Sequence, residues 1–332
     1  MEYRNLGRTG VKVSPLCLGT MNFGPRTPED EAVDMIHRSL AAGLNFIDTA
    51  NLYGQPLNDG RGQGTTEKIV GKALKGKRDR VVLATKFYAT MDPDDPNSHG
   101  GSRRHILRSC EDSLRRLETD YIDLYQMHRP DPTVPIDETL RALDDLVRSG
   151  KVRYIGTSTF AGWQLVESLW ESERLGLNRF VSEQPRYSLI DRRIETGVVP
   201  VALKYGLAIL PYSPLGGGVL TGKYKHGDAF PDDSRAVDSA WGTWARSFLS
   251  ERVYLLVDLL VEIAGEHGCT SGQVALAWVL LKPGVTSAII GPRTVPHFED
   301  NLGALSVELT EDNLSQLEEA TIPGGTLFPE RS

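Results

Sequence analysis

The runs Asn45-Phe46-Ile47-Asp48, Val81-Val82-Leu83-Ala84-Thr85-Lys86 and Asp123-Leu124-Tyr125-Gln126-Met127-His128 decide the fold. Each is short, apolar and strand-like, and each closes on a group that carries chemistry: a carboxylate, an amine and an imidazole. Tyr53 adds a phenol, in the loop Thr49-Ala50-Asn51-Leu52-Tyr53-Gly54 that follows the first run. In a barrel of parallel strands the carboxyl ends converge on one face. Asp48, Tyr53, Lys86 and His128 are therefore expected to share one pocket.

Working outward, strand-like runs recur near residues 15–19, 45–48, 81–86, 122–127, 152–156, 180–184, 207–211 and 286–290. Helical patterns lie near 29–42, 66–75, 102–117, 137–149, 161–174, 191–204, 251–266 and 271–281. Strict alternation implies parallel pairing with right-handed crossovers. Eight repeats predict an α/β fold, a closed (β/α)8 TIM barrel, with residues 1–332 as a single domain. Three pieces stand outside that pattern. Residues 3–14, around Gly7-Arg8-Thr9-Gly10, read as a β-hairpin that plugs the barrel bottom. Residues 213–248 form a glycine-rich segment with Trp241 and Trp244 near its end, expected to be a loop that orders over a ligand. Residues 307–332 add a last helix and a Pro/Gly tail. Thr27-Pro28-Glu29-Asp30 reads as the cap and first turn of a helix, and Thr270 with Gln273 reads as a capping box.

The composition excludes several classes. At 332 residues, 40% hydrophobic and 24% charged, the chain has ample core material. A net charge of −7 argues against general nucleic-acid binding, which wants a basic face. Cys17, Cys110 and Cys269 are scattered, with no CxxC or Cys/His spacing, so no metal is expected and reduced thiols in a cytoplasmic protein are. The N-terminus lacks an apolar signal core, and no stretch approaches the roughly 20 apolar residues of a membrane helix. No GxGxxG is present, which argues against a Rossmann cofactor site.

The four residues suit proton donation to a carbonyl oxygen. Reduction of a carbonyl needs a hydride for carbon and a proton for oxygen. Free tyrosine titrates near pH 10, and a nearby ammonium favours the phenolate. The expectation is a Tyr53 phenol more acidic than free tyrosine, yet protonated at neutral pH. Asp48 would hold Lys86 charged and in place, and His128, neutral, would orient the carbonyl.

Further motifs extend along the chain: Leu18-Gly19-Thr20-Met21, Phe46-Ile47-Asp48-Thr49-Ala50 with Tyr53-Gly54, Thr85-Lys86, Gln126-Met127-His128, Gly150-Lys151-Val152-Arg153-Tyr154-Ile155-Gly156, Gln184, Tyr212-Ser213-Pro214-Leu215, Leu220-Thr221-Gly222-Lys223 and Gly291-Pro292-Arg293 leading to Asn301-Leu302. On these the chain resembles the aldo-keto reductases from end to end. The resemblance implies a barrel enzyme reducing carbonyls with NADPH (NADP+), with Tyr53 as general acid, Lys86 and Asp48 as its tuning pair and His128 as the substrate-orienting group. It implies a cofactor path through Gly19, Thr20, Met21 and Asp48. Ser158, Thr159 and Gln184 would hold the nicotinamide carboxamide, and Tyr212 would stack on the ring. Ser213, Leu215 and Gly217 would line the pyrophosphate, with Lys223 near it. Gly291, Arg293, His297, Asp300 and Asn301 would hold the adenosine end, with Arg293 nearest the 2′-phosphate. Thr159 stands where many members carry Asn, and His297 where Arg or Gln is commoner. Phe23, Tyr88 and Arg129, with Met21, Tyr53 and His128, would wall a pocket for a small-molecule carbonyl substrate: a sugar, an aryl aldehyde or a dicarbonyl. The resemblance leaves two function classes: a reductase of aldehydes or ketones, including keto-sugars, and an NADPH-binding regulatory subunit such as the channel β-subunits. Oligomeric state stays open.

Overall fold

The computed structural model describes residues 1–54, 64–232, 234–238 and 242–328. An antiparallel hairpin, β1 (Arg4–Asn5) and β2 (Lys12–Val13), precedes eight parallel strands. These are β3 (Leu16–Gly19), β4 (Phe46–Asp48), β5 (Val82–Phe87), β6 (Ile122–Met127), β7 (Val152–Ser158), β8 (Ser182–Gln184), β9 (Ala208–Ile209) and β10 (Ala288–Ile290). They are ordered β10-β3-β4-β5-β6-β7-β8-β9. The two outer strands then meet: Ile209 N donates to Gly284 O at 3.1 Å, Thr286 N to Ile209 O at 2.9 Å and Ile289 N to Pro211 O at 2.8 Å. These bonds join the sheet into a barrel, which leaves no edge to pair with another chain.

Helices cover the barrel's outer face. The first six are α1 (Glu29–Ala41), α2 (Thr65–Leu74), α3 (Arg103–Leu117), α4 (Ile136–Arg148), α5 (Gly162–Leu175) and α6 (Val198–Tyr205). Between β9 and β10 lie α7 (Gly242–Arg246), α8 (Glu251–His267) and α9 (Ser271–Leu281), and α10 (Val295–Gly303) and α11 (Glu311–Ala320) follow β10. Among the described residues no helix is long and apolar enough to cross a membrane.

The core has two parts. One is the layer between barrel and helices, including Leu18, Ile36, Leu83, Ile106, Leu143 and Trp278. The other includes Leu6 and Val13 of the hairpin region with Cys17, Phe46, Ala84, Leu124, Ala208 and Ile289 of the strands. The hairpin therefore plugs the amino end of the barrel. Gly7 shows how close it comes: a Cβ there would lie 2.6 Å from Val181 O and 2.8 Å from Gly206 O. Each fully buried Leu, Ile or Phe is worth roughly 1.5–3 kcal/mol. The plug thus closes the end opposite the functional strand termini with an apolar seal.

The structure revises three expectations. The helix near 191–204 is shorter: residues Arg193–Thr196 make a 3-10 turn, and α6 starts only after Gly197. Both α8 and α9 belong to one crossover, and the helix that follows the eighth barrel strand is α10, which the helical pattern missed. Thr27 does not cap α1; its hydroxyl donates to Arg293 O at 2.8 Å, while Pro28 takes the cap position without a side-chain bond. In the 213–248 segment, Val219, Leu220, Tyr224, Ala236, Ala245 and Phe248 are buried, and the ring centroids of Phe248 and Phe328 lie 4.7 Å apart. Trp241 and Asp233 in that segment lie outside the described residues.

Candidate active site

Parallel register brings the strand ends level. Gly19 pairs with Asp48, Asp48 with Ala84, Lys86 with Gln126 and Ser158 with Gln184. Side chains that alternate inward on these strands therefore meet at the carboxyl mouth. Gly19 is glycine because β10 presses on it: a Cβ would lie 2.7 Å from the Ile289 side chain. Thr20 ties the end of β3 to β4, its amide and hydroxyl both donating to Asp48 O at 3.0 Å.

At the centre lies Lys86, with no solvent exposure. Its Nζ donates to Asp48 Oδ1 at 2.5 Å, to Thr49 O at 3.0 Å and to Tyr53 Oη at 3.1 Å. All three ammonium protons thus have an acceptor. Burial, the largest influence, pulls the Lys86 pKa down, but Asp48 and Tyr53 outweigh it and raise the value to about 12. Asp48 Oδ2 accepts from Gln126 Nε2 at 3.0 Å and Gln184 Nε2 at 2.9 Å. Gln184 Nε2 also reaches Gln126 Oε1 at 3.2 Å. A carboxylate only accepts, so it fixes which way both amides point.

Tyr53 departs from expectation. Burial pushes its phenol above the ordinary tyrosine value, and Asp48 and Tyr212 add to that push. Lys86 opposes it both by charge and by its hydrogen bond without prevailing. The expectation of a phenol more acidic than free tyrosine is corrected, while its protonation at neutral pH stands: desolvation of the phenolate exceeds the pull of the Lys86 ammonium. His128 meets Tyr53 edge to face, ring centroids 6.1 Å apart. Burial first, then Lys86 and Arg129, hold its imidazole well below the ordinary pKa, so it is neutral at pH 7.

Around this centre the backbone is strained. Tyr88, Thr159 and Ser213, each just past a barrel strand, have φ of 133°, 62° and 53°. Such conformations cost of order 1–3 kcal/mol in a non-glycine residue and cluster at functional sites. Ser158 Oγ donates to Gln184 O at 2.9 Å, Thr159 N donates to Gln184 O at 3.2 Å, and Thr159 Oγ1 reaches His128 O at 3.5 Å. Ser158, Thr159, Gln184 and the acid group are therefore one assembly. Tyr212 is half-buried beside it, its amide bonded to Pro185 O at 2.9 Å.

The remaining expected residues divide. Met21, Tyr88 and Arg129 keep exposed surface. Phe23 is corrected: it has no exposure and belongs to the core under α1 and α2, so it presents nothing to a pocket. Beyond β9, Gly216, Gly217 and Gly218 have φ of 57°, 71° and 95°, and Leu215 O accepts from Gly218 N and Leu220 N. Gly217 faces Trp244, whose ring a Cβ would meet at 2.7 Å, and Lys223 Nζ lies beside Gly218. Gly291 O accepts from Asn22 Nδ2 at 2.9 Å. His297 and Asp300 are engaged in helix caps: Thr294 Oγ1 meets His297 Nδ1 at 3.0 Å, and Asp300 Oδ1 accepts from Thr270 and Gln273 at 3.0 and 3.1 Å. Asn301 is buried in α10.

Sequence reasoning missed Gln126, Arg26 and Arg235. Gln126 sits two residues before His128, and that inward alternation was a usable signal. Arg26 and Arg235 lay in unrelated loops and had none. Arg235, in the turn Arg235–Val237, is pulled down to about 10 by burial and then by the charges of Arg26 and Arg293. Arg26 is paired with Asp238, which links the β3–α1 loop to the 234–238 turn. The donor set fits a group with several negative charges. Arg235 feels the positive charges of Arg26 and Arg293 more strongly than the negative charge of Asp238, and a glycine cradle lies along the way.

A family model for the aldo/keto reductase family matches residues 15–322. The chain belongs to the aldo/keto reductase family. Among its relatives, the Bacillus subtilis (strain 168) protein named Uncharacterized oxidoreductase YrpG is 44% identical over 332 residues, covering 98% of each chain. The Probable voltage-gated potassium channel subunit beta of Arabidopsis thaliana is 36% identical, covering 92% of each. The Versiconal hemiacetal acetate reductase of Aspergillus parasiticus is 34% identical, covering 97% of this chain and 98% of the relative. This aldo/keto reductase is thus an oxidoreductase by class.

Proposed function

We propose that this aldo/keto reductase reduces an aldehyde or ketone with NADPH, and that Tyr53 delivers the proton. One observation carries the reading: Lys86 Nζ lies between Asp48 Oδ1 and Tyr53 Oη, at 2.5 and 3.1 Å. The reduced nicotinamide, when bound, supplies the hydride. Tyr53 gives its proton to the carbonyl oxygen and is left as a phenolate beside the Lys86 ammonium. Lys86 keeps its own proton, because Asp48 holds its pKa near 12. At rest, burial keeps Tyr53 protonated; as the proton leaves, the fixed ammonium stabilises the new charge without reorganising. Neutral His128 donates an N–H to the same oxygen and positions it.

Ser158, Thr159 and Gln184 would hold the carboxamide, and Tyr212 the ring face. The glycine cradle from Ser213 to Gly218, with Lys223, would take the pyrophosphate. Arg293, supported by Arg26 and Arg235, would take the charged adenosine end, which favours NADPH because a guanidinium meets a phosphate with bidentate bonds. Met21, Tyr88, His128 and Arg129 wall the substrate space, and a keto-sugar falls within that class. Free Cys17, Cys110 and Cys269 suit a cytoplasmic enzyme.

A second reading, an NADPH-binding regulatory subunit with little turnover, draws on the likeness to the Arabidopsis protein named as a channel subunit. A panel of aldehydes and ketones, read by loss of NADPH absorbance, separates the two. Steady turnover on a reactive aldehyde is expected; tight NADPH binding with no turnover on any member would overturn the enzyme reading.

A further inference from the structure

Glu183 precedes Gln184 on β8 and points to the opposite side of the strand, away from the mouth. It is completely buried, and no positive group is among the influences on its pKa. Its carboxyl instead gathers donors from one short stretch of the neighbouring strand end. Thr157 Oγ1 donates to Oε2 at 2.5 Å and Phe160 N to Oε1 at 3.1 Å. Between them, the Thr159 amide donates to Gln184 O at 3.2 Å. The two donors bracket Ser158 and Thr159. Thr159 is β-branched and held at φ 62°, a region such residues avoid. Strain of this kind persists only where the surroundings over-determine it; Gln184 O and His128 O hold Thr159 directly, and Glu183 pins the chain on either side of it.

We propose that Glu183 is a positioning residue for the nicotinamide end of the cofactor: from behind the sheet, its carboxyl locks Thr159 in the left-handed conformation and so aims Ser158 and Thr159 into the mouth. β8 then builds that corner from both faces, Gln184 from within and Glu183 from beneath. The inference rests on the reading above that Ser158 and Thr159 meet the carboxamide. Without the lock, the turn relaxes and ligand binding must restore it, so affinity falls by the fraction of molecules in the competent form.

The test compares NADPH with adenosine 2′,5′-bisphosphate, which carries the charged adenosine end and no nicotinamide, each titrated calorimetrically. Glu183→Met keeps the volume and removes the acceptor. It is expected to weaken NADPH about tenfold, the scale of such strain, and to leave the bisphosphate unchanged. Adding Thr159→Asn should restore most of the loss, because asparagine accepts left-handed backbone more readily. Glu183→Gln retains an acceptor for Phe160 N and should stay within about threefold of wild type. If the Met variant does not fold, Thr157→Val removes one anchor without adding bulk, and a selective two- to threefold loss for NADPH is expected, roughly half a kcal/mol. Equal weakening of both ligands, unchanged NADPH affinity in the Met or Val variant, or no recovery with Thr159→Asn would overturn the proposal. Wild-type protein that binds the bisphosphate but not NADPH would overturn it as well. Wild-type protein that binds neither ligand would overturn the cofactor reading and this inference with it.

Discussion

The two ends of the site are built on opposite principles. At the proton end, buried Lys86, Asp48, Gln126 and Gln184 bond one another, and Lys86 donates to the partly buried Tyr53. At the arginine end, burial and then the charges of Arg26 and Arg293 disfavour the Arg235 guanidinium, against a weaker pull from Tyr224 and Asp238. The first end is complete without a ligand, as preorganised catalytic groups must be. At the second, an anion would offset the positive charge that acts on Arg235. Substitutions should therefore be felt as lost stability at one end and as lost affinity at the other.

The largest contrast is expected from Lys86→Met. It strands the Asp48 carboxylate in the interior with only two amide donors, and breaking a buried pair this way costs about 3–5 kcal/mol. Denaturant unfolding measures it, and the double variant with Asp48→Asn should recover part of the loss. A loss below about 1 kcal/mol would show that the centre is not a tightly coupled pair.

Arg235→Met sharpens the other side. With like charges around it, its removal is expected to leave unfolding stability unchanged or raised, as replacement of buried charges by apolar groups often does. NADPH binding should weaken by about 1.5–3 kcal/mol, the range for a charged hydrogen bond, and Arg293→Ala should do the same. NADH should be little affected by either. Titrations showing equal losses for both cofactors would remove the arginines from the 2′-phosphate.

Glu183 gives a pH signature opposite in sign to that of the depressed His128 imidazole. Burial, against bonds from Thr157, Phe160 and Thr159, raises its pKa to about 8. The folded state therefore holds a proton that the unfolded chain has already released. The stability this contributes is complete below the ordinary carboxyl range and is lost as pH rises from about 4.5 to about 8. Glu183→Gln cannot titrate, so melting curves should show its stability falling less than wild type across that window. Parallel curves would contradict the shift.

The smallest effect is expected at the Arg26–Asp238 pair, which is only partly buried. Asp238→Asn should change stability by less than about 1 kcal/mol. It should nonetheless speed NADPH release in stopped flow, because the pair ties the 234–238 turn to the β3–α1 loop. An unchanged release rate would show that this turn is no part of the cofactor's enclosure.

The same contrast explains what the sequence revealed. The proton end was readable because its parts stand at the ends of strands, where a two-residue alternation fixes the direction of each side chain. Even Gln126, overlooked, obeys that rule. The arginine end was not, because Arg26, Arg235 and Arg293 come from three loops whose meeting depends on tertiary packing. Phe23 misled for a related reason: its place after a strand end is visible, but whether its ring turns to the core or the mouth is not. The rise in the Tyr53 pKa was hidden because burial, unlike a nearby lysine, has no motif. The helix α10 could have been found, since Thr294 caps it and Pro296 sits in its first turn.

The central claim is that Tyr53 is the proton donor held by Lys86, and Tyr53→Phe tests it most directly when kcat and NADPH affinity are measured on the same preparation. The account predicts a fall in kcat on the order of a hundredfold or more, the scale of acid catalysis, with NADPH affinity near wild type. A Tyr53→Phe protein that turns over substrate at close to the wild-type kcat would contradict it.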